Sequence, residues 1–120
     1  MAESPQEYLE QAPDIARPWL EEFWAYLAGR APRLEVTMFR GVPMYKFADS
    51  YLKGYVMVTA AKGHFSLHLI DFDLVAGAQA GIPGAFGGKG SVSVRYTNEA
   101  AKPLLKQTID AALERHGFLG

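Results

Sequence analysis

The sequence predicts an α+β domain in which an antiparallel sheet packs against helices from the two ends of the chain. Three observations support this prediction. Hydrophobic residues recur every three or four positions before residue 32 and after residue 97, as on the buried side of a helix. Between residues 34 and 70 the hydrophobic period changes to two, which is typical of half-buried strands. Short connections between these strands indicate antiparallel hairpins.

Two helices are predicted before residue 32. Ser4, Pro5 and Glu7 form a helix start, because Ser4 can cap, Pro5 suits the first helical position and Glu7 completes a capping box. This helix is expected to end near Gln11. A second helix is expected to begin at Asp14 and to end at Gly29 or Pro32. Its buried stripe consists of Leu20, Phe23, Trp24 and Leu27.

Five strands are predicted in the rest of the chain. We place them at residues 34–40, 44–47, 54–60, 64–70 and 91–96, with a turn at Gly41-Val42-Pro43. Residues 77–90 are rich in glycine and are predicted to form a mobile loop rather than regular structure. These glycines are Gly77, Gly81, Gly84, Gly87, Gly88 and Gly90.

The last predicted element is a C-terminal helix. Thr97 or Asn98 is expected to begin it, Pro103 lies near its start, and Gly117 ends it. Its buried stripe is predicted to contain Leu105, Ile109, Ala112 and Leu113. The whole chain, residues 1–120, is expected to form one domain, because 120 residues is close to the usual size of a domain.

Composition excludes several classes of function. The chain has no cysteine, which excludes disulfides, thiolate zinc sites, iron–sulfur clusters and thiol catalysis. A net charge of −1 argues against nucleic-acid binding, since such domains usually carry a strong basic excess. The acidic N-terminus lacks the features of a secretory signal, and no apolar run is long enough for a membrane span. We therefore expect a cytoplasmic protein that binds neither membrane nor nucleic acid.

The order of several motifs resembles the YdhG-like family of small bacterial proteins. The resemblance begins with Tyr8-Leu9 and the run from Glu35 to Phe47. It continues through Val56-Met57-Val58, the segment from Lys62 to Leu67, and the closing helix that follows Lys89-Gly90. It implies a curved antiparallel sheet flanked by N-terminal and C-terminal helices in two layers. The family includes a frataxin-like intracellular iron chaperone, so the resemblance also raises iron binding and delivery to an iron-acceptor protein.

Candidate iron ligands lie in the acidic first part of the chain. Iron held for transfer is expected to bind exposed carboxylates, because hard oxygen ligands suit a labile aqueous ion. Asp14, Glu21 and Glu22 are the candidates on the second helix, although a solvated helix face has the same composition. Asp71 and Asp73, just after a predicted strand, could complete a second metal site with His68.

His64 and His68 suggest a different kind of site. On a strand they share a face but lie about 13 Å apart, too far for one metal ion to bind both imidazoles. We therefore interpret them as separate histidines on a polar, ligand-facing surface, or as ordinary structural histidines. The candidate ligand-binding residues on this surface, with the 77–90 loop as a lid, are Glu35, Tyr45, Lys62, His64 and His68.

No motif predicts a catalytic nucleophile or a phosphate loop. None of the serines lies in a Gly-x-Ser-x-Gly turn, and Gly88-Lys89 is followed by glycine rather than by serine or threonine.

Three hypotheses follow from the sequence. The leading one is a non-enzymatic iron-binding protein. The alternatives are a small-molecule binder or enzyme that uses the histidine surface, and a homodimeric structural module without a ligand. Whether the chain is a monomer or a homodimer stays open.

Overall fold

The computed structural model describes residues 1–119, which form five strands and four α-helices. The helices are α1 (Pro5–Gln11), α2 (Arg17–Arg30), α3 (Phe72–Gly81) and α4 (Ala101–Arg115). The strands are β1 (Val36–Phe39), β2 (Val42–Lys46), β3 (Tyr55–Ala60), β4 (His64–Leu69) and β5 (Ser91–Arg95). Among these residues, no helix combines the length and the apolar character needed to cross a membrane.

The five strands form one sheet in sequence order, β1-β2-β3-β4-β5, and every neighbouring pair is antiparallel. The first four strands are joined by short connections, whereas α3 and the segment after it lie between β4 and β5. The predicted α+β class, with an antiparallel sheet and helices from both ends of the chain, is confirmed.

The core lies between the helices and one face of the sheet. Because side chains alternate along a strand, every second residue of β3, β4 and β5 points toward the helices. These inward residues are fully buried, and they are Val56, Val58, Phe65, Leu67, Leu69, Val92 and Val94. Among them, Phe65 contacts the Phe23 ring of α2, with centroids 4.9 Å apart. The helical side of this core includes Leu20, Leu27, Val75, Leu105, Ile109 and Leu113.

The beginning of α1 follows the sequence prediction. The Ser4 hydroxyl accepts a hydrogen bond from the backbone N–H of Glu7 at 3.2 Å. The Glu7 carboxylate in turn accepts one from the backbone N–H of Glu3 at 2.8 Å. The first bond satisfies a donor of the first helical turn, whereas the second binds the residue before the cap, Glu3, rather than Ser4 itself. The second helix begins at Arg17 rather than Asp14, because residues 14–16 form a single 3₁₀ turn.

The glycine-rich segment corrects the predicted 77–90 loop. Gly77 and Gly81 belong to α3, since burial of Val75 and Ala78 in the core outweighs the low helix propensity of glycine. The rest of the segment is fixed by hydrogen bonds. The Gln79 side chain donates to the carbonyls of Gly88 and Ser91 at 2.7 Å each. Phe86 pairs with Ser93 through an antiparallel bridge at the outer side of β5.

Two further boundaries differ from the sequence prediction. The first hairpin turns at Arg40 and Gly41, whose φ angles of 52° and 81° suit a two-residue turn, so Val42 and Pro43 belong to β2. The last helix begins at Ala101 rather than at Thr97 or Asn98. Asn98 does not cap this helix, because its side-chain amide donates instead to the Pro83 carbonyl at 2.9 Å.

The C-terminal end of α4 is held against the sheet at Gly54. The His116 ring stacks on Phe47 with centroids 4.2 Å apart, and Gly54 lies beside both rings. A methyl group at Gly54 would lie 2.7 Å from the Phe47 ring and 2.9 Å from the His116 ring. Gly54 also has a φ of 117°, which residues with a side chain rarely adopt. This position therefore requires glycine for two independent reasons.

We predict that Gly54→Ala lowers the free energy of unfolding by roughly 2–5 kcal/mol, because backbone strain and overpacking add. Gly29→Ala is the matched control, since its methyl group would meet no atom within 4 Å. That change should stabilise α2 by about 0.5–1 kcal/mol. Urea denaturation of the two variants measures both effects, and equal stability of the two proteins would contradict the assigned role of Gly54.

Candidate functional site

The face of the sheet opposite the helices carries a cluster of hydroxyl and imidazole groups. We call Thr59, Ser66, His68 and Ser93 the hydroxyl patch. The strand register places Thr59 of β3 opposite Ser66 of β4, and Ser66 opposite Ser93 of β5. Three hydroxyls thus form a row across three adjacent strands, and His68 lies next to Ser66 on the same face. We refer to this side of the sheet as the open face.

Ser66 and Ser93 are buried although they point away from the helices. Only 5% of Ser66 and 4% of Ser93 is exposed, and their hydroxyl oxygens are 2.6 Å apart. Longer side chains surround these short ones, with His64 and His68 along β4 and Phe86 across the outer side of β5. The two short side chains therefore lie below the ends of the longer side chains around them.

The second polar pair of the patch joins β3 and β4 diagonally. Thr59 Oγ1 and His68 Nε2 are 2.8 Å apart, a distance typical of a strong hydrogen bond. Burial lowers the pKa of His68 below its ordinary value, because the charged imidazolium is poorly solvated in this position. The neutral imidazole is therefore the predominant form at pH 7.

Phe86, His64 and Arg95 lie at the rim of the patch. The Phe86 ring meets the His64 ring edge-on, with centroids 5.4 Å apart, and 43% of Phe86 is exposed. Arg95 is exposed and lies opposite His64 in the β4–β5 register. None of the five strands contains an aspartate or glutamate, whereas they contain Lys46 and Arg95. The open face is consequently free of carboxylates along its strands.

The structure brings together only part of the predicted ligand-binding set. His64 and His68 lie on the open face, on either side of Ser66. Tyr45 is aligned with Val56 and packs against the core, so it points to the opposite side of the sheet. Lys62 is exposed in the β3–β4 turn. Glu35 lines a separate cavity of about 420 Å³ together with Lys46 and Asp49.

The acidic residues of the second helix have different surroundings. Asp14 pairs with Arg17 of the same helical region at 3.1 Å, and Glu21 is exposed. Glu22 lies between two lysines of α4, 3.1 Å from Lys102 and 2.8 Å from Lys106. The hydrogen bond from Lys106 is the main reason that the pKa of Glu22 is lowered. Glu22 therefore joins α2 to α4.

Asp71 and Asp73 are engaged by the end of α4 rather than by His68. Asp71 accepts one hydrogen bond from Arg115 at 3.2 Å and pairs with His116 at 3.0 Å. Arg115 also binds both carboxylate oxygens of Asp73, which lowers the pKa of that carboxyl to about 2. Within residues 1–119, no three His, Asp or Glu side chains are grouped so that they could hold a metal ion.

A second cavity lies between α3 and α4 and is mostly apolar. Its volume is about 310 Å³, and Gln107 and Thr108 are among the few polar residues in its wall. The apolar part of the wall includes Leu74, Ala78, Ile82, Leu104 and Ala111. This cavity lacks the converging polar groups that fix the orientation of a small ligand.

The two histidines are among the predicted site residues, whereas Thr59, Ser66 and Ser93 are not. The alternation of Ser91-Val92-Ser93-Val94 does indicate that one face of β5 carries hydroxyls. The pairing of β5 with β4, which brings Ser93 to Ser66, is a contact between residues 27 positions apart. Phe86 lies in the segment predicted to be a mobile loop, so its position beside His64 does not follow from the sequence.

Comparisons with known proteins define the fold. No protein-family model matches the sequence, and no curated protein matches it either. A solved structure that is similar to this chain is a DUF1801-family protein, YdhG, from Bacillus subtilis. The TM-score is 0.75 with 16% sequence identity, over 93% of this chain and 90% of the other. The two proteins share their fold, in agreement with the α+β architecture that the YdhG-like resemblance implies.

The low pKa of His68 predicts a pH-dependent stability. The unfolded state takes up a proton near the ordinary pKa of 6.5, whereas the folded state resists protonation at this site. Stability is therefore fully present above pH 6.5 and is lost as the pH falls below it, with a slope of at most about 1.4 kcal/mol per pH unit. His68→Gln should flatten this dependence in urea denaturation between pH 7.5 and pH 5.5. An NMR titration that places the pKa of His68 at or above 6.5 would contradict the prediction.

Proposed function

We propose that this domain is a binding protein that holds a small ligand on the open face of its sheet, at the hydroxyl patch. The observation that supports this proposal is the buried pair of Ser66 and Ser93, which faces away from the helices. Valine or threonine would fill this part of a strand with better β-propensity than serine. Serine instead places short polar groups at this position, below the longer side chains of the open face.

The size of the patch favours a small ligand over a protein partner. The row of three hydroxyls spans two interstrand spacings, or about 10 Å. A stable protein interface needs about 800 Å² from each partner, which is far more than such a patch provides. A small molecule with one polar group and an apolar body matches these dimensions better.

The site is formed before the ligand arrives. Phe86 is held by its backbone bridge to Ser93, and Gln79 fixes the segment that carries Phe86. Ser91 adds a further contact, because its hydroxyl accepts a hydrogen bond from the N–H of Gly88. Phe86 thus serves as a fixed apolar wall rather than as part of a mobile lid. Preformed walls of this kind reduce the entropy lost on binding.

Iron binding and delivery is the second candidate function. The YdhG-like resemblance raises it, and the exposed carboxylates of Glu10, Asp14 and Glu21 support it. Oxygen ligands of this type suit an iron ion held for transfer. Two features favour the open face instead. Glu22 is neutralised by Lys102 and Lys106, and Asp71 and Asp73 are occupied by Arg115.

The ligand proposal predicts where small molecules bind. In ¹H–¹⁵N NMR spectra recorded with mixtures of small polar molecules, we expect shifts to cluster at Ser66, His68, Phe86 and Ser93. Replacing both Ser66 and Ser93 by alanine should abolish these shifts, because the hydroxyl pair is lost. Gln107→Ala, in the α3–α4 cavity, is the matched control and should leave them unchanged. Shifts that cluster instead on Leu74 and Leu104 would move the binding site to that cavity.

The iron hypothesis predicts saturable binding of anaerobic Fe(II) in the micromolar range. Asp14→Asn with Glu21→Gln should weaken binding, because both carboxylates are exposed. Glu22→Gln is the structural control, since it removes the bridges to Lys102 and Lys106. Isothermal titration calorimetry measures the effect. A titration without saturable binding removes the iron hypothesis and leaves the open-face proposal standing.

A further inference from the structure

We infer that the ligand of the hydroxyl patch is a small organic carboxylate. This inference rests on the proposed binding function of the open face and adds the chemical class of the ligand. Its basis is a surplus of hydrogen-bond donors in the patch, together with the absence of acidic side chains from the strands that form the face.

The serine pair leaves one donor without a partner. Each hydroxyl has one proton, and the single bond between Ser66 and Ser93 uses one of the two. Neither hydroxyl makes another hydrogen bond within residues 1–119. Because both serines are buried, the remaining proton needs an acceptor from outside the chain.

The pair of Thr59 and His68 also leaves one donor, whichever group gives the proton. If Thr59 donates to Nε2, the neutral ring carries its own proton on Nδ1. If Nε2–H donates to Thr59, the threonine hydroxyl keeps its proton. The patch therefore has two spare donors, one from each pair. Thr59 and Ser66 are directly opposite in the register, which brings the two pairs together.

A carboxylate matches this arrangement. Its two oxygens accept hydrogen bonds and donate none, so one ligand group can satisfy both donors. Hydrogen bonds to a charged acceptor are also roughly twice as strong as those between neutral groups. Arg95 at the rim adds a positive charge, and no strand residue repels an anion.

The rim residues distinguish a carboxylate from a phosphate and describe the rest of the ligand. Phosphates are usually held by several basic groups or by free backbone N–H groups at a helix start. Here the donors are hydroxyls and an imidazole, and Arg95 is the one guanidinium on strands β1 to β5. The exposed ring of Phe86 provides an apolar surface, which suits an aromatic or aliphatic substituent on the carboxylate.

Three matched probes test this inference on the full chain. Benzoate, benzamide and phenyl phosphate share a ring that can pack on Phe86 and differ in the polar group. ¹H–¹⁵N NMR titrations give the dissociation constant and the location for each probe. We expect benzoate to bind at the hydroxyl patch at least about tenfold more tightly than benzamide. The amide presents one neutral acceptor oxygen, whereas the carboxylate presents two that share a negative charge.

Each outcome has a distinct meaning. Equal binding of benzoate and benzamide at the patch would overturn the carboxylate inference and leave the binding function standing. Tighter binding of phenyl phosphate would overturn it in favour of a phosphate ligand. If no probe shifts the patch while other small molecules do, the ligand class is wrong. If nothing shifts the patch, both the inference and the proposed function fail.

Variants of the patch separate a binding role from a structural one. Thr59→Val keeps the shape of the side chain and removes the hydroxyl, and it should weaken benzoate binding about tenfold while benzamide binding changes little. Lys46→Gln is the control, because it removes the other basic residue of the strands, which lies opposite Tyr55 at the far end of β3 from Thr59. Benzoate binding that depends on Lys46 and not on Thr59 would overturn the inference. Thermal unfolding of each variant confirms that the protein is folded.

Discussion

The packing of all four helices on one face of a five-stranded sheet is the constraint on which the rest of the structure depends. Inward residues such as Val58, Phe65 and Val94 meet Phe23 of α2 and the buried stripe of α4. This contact removes a large apolar area from water, and such burial is the main favourable term in folding. The other face receives none of the four α-helices, so the side chains of the strands form most of its surface. The hydroxyl patch is a result of that division.

Alternation of hydrophobic and polar residues made the strands and the fold class predictable, and Ser4, Pro5 and Glu7 made the start of α1 predictable. Contacts between distant parts of the sequence were not predictable. Glu22 was an apparent metal ligand until its neighbours Lys102 and Lys106, 80 and 84 residues away, became known. Helix α3 was missed because burial of two residues outweighed two glycines. Local helix propensity predicts secondary structure poorly where packing against the core determines it.

The candidate site was predictable to the same limited extent. His64 and His68 were placed on one face by strand geometry, and the structure agrees. The partner of His68 is Thr59 of β3, and Ser66, which lies between the two histidines, pairs with Ser93 of β5. Tyr45 was assigned to the histidine surface although strand pairing directs it to the core. A prediction of which strands are neighbours would be needed to recover the patch from sequence.

The bridge between Phe86 and Ser93 has a consequence for the behaviour of the molecule at high concentration. A sheet ends in strands whose unpaired backbone groups can recruit another chain and begin aggregation. Along β5, the segment before Gly88 occupies part of this position, with backbone bonds in both directions between Phe86 and Ser93. The opposite edge strand, β1, is only four residues long. Within residues 1–119 the sheet thus offers little backbone for strand addition, which allows the domain to leave one sheet face without a helix layer and still resist polymerisation.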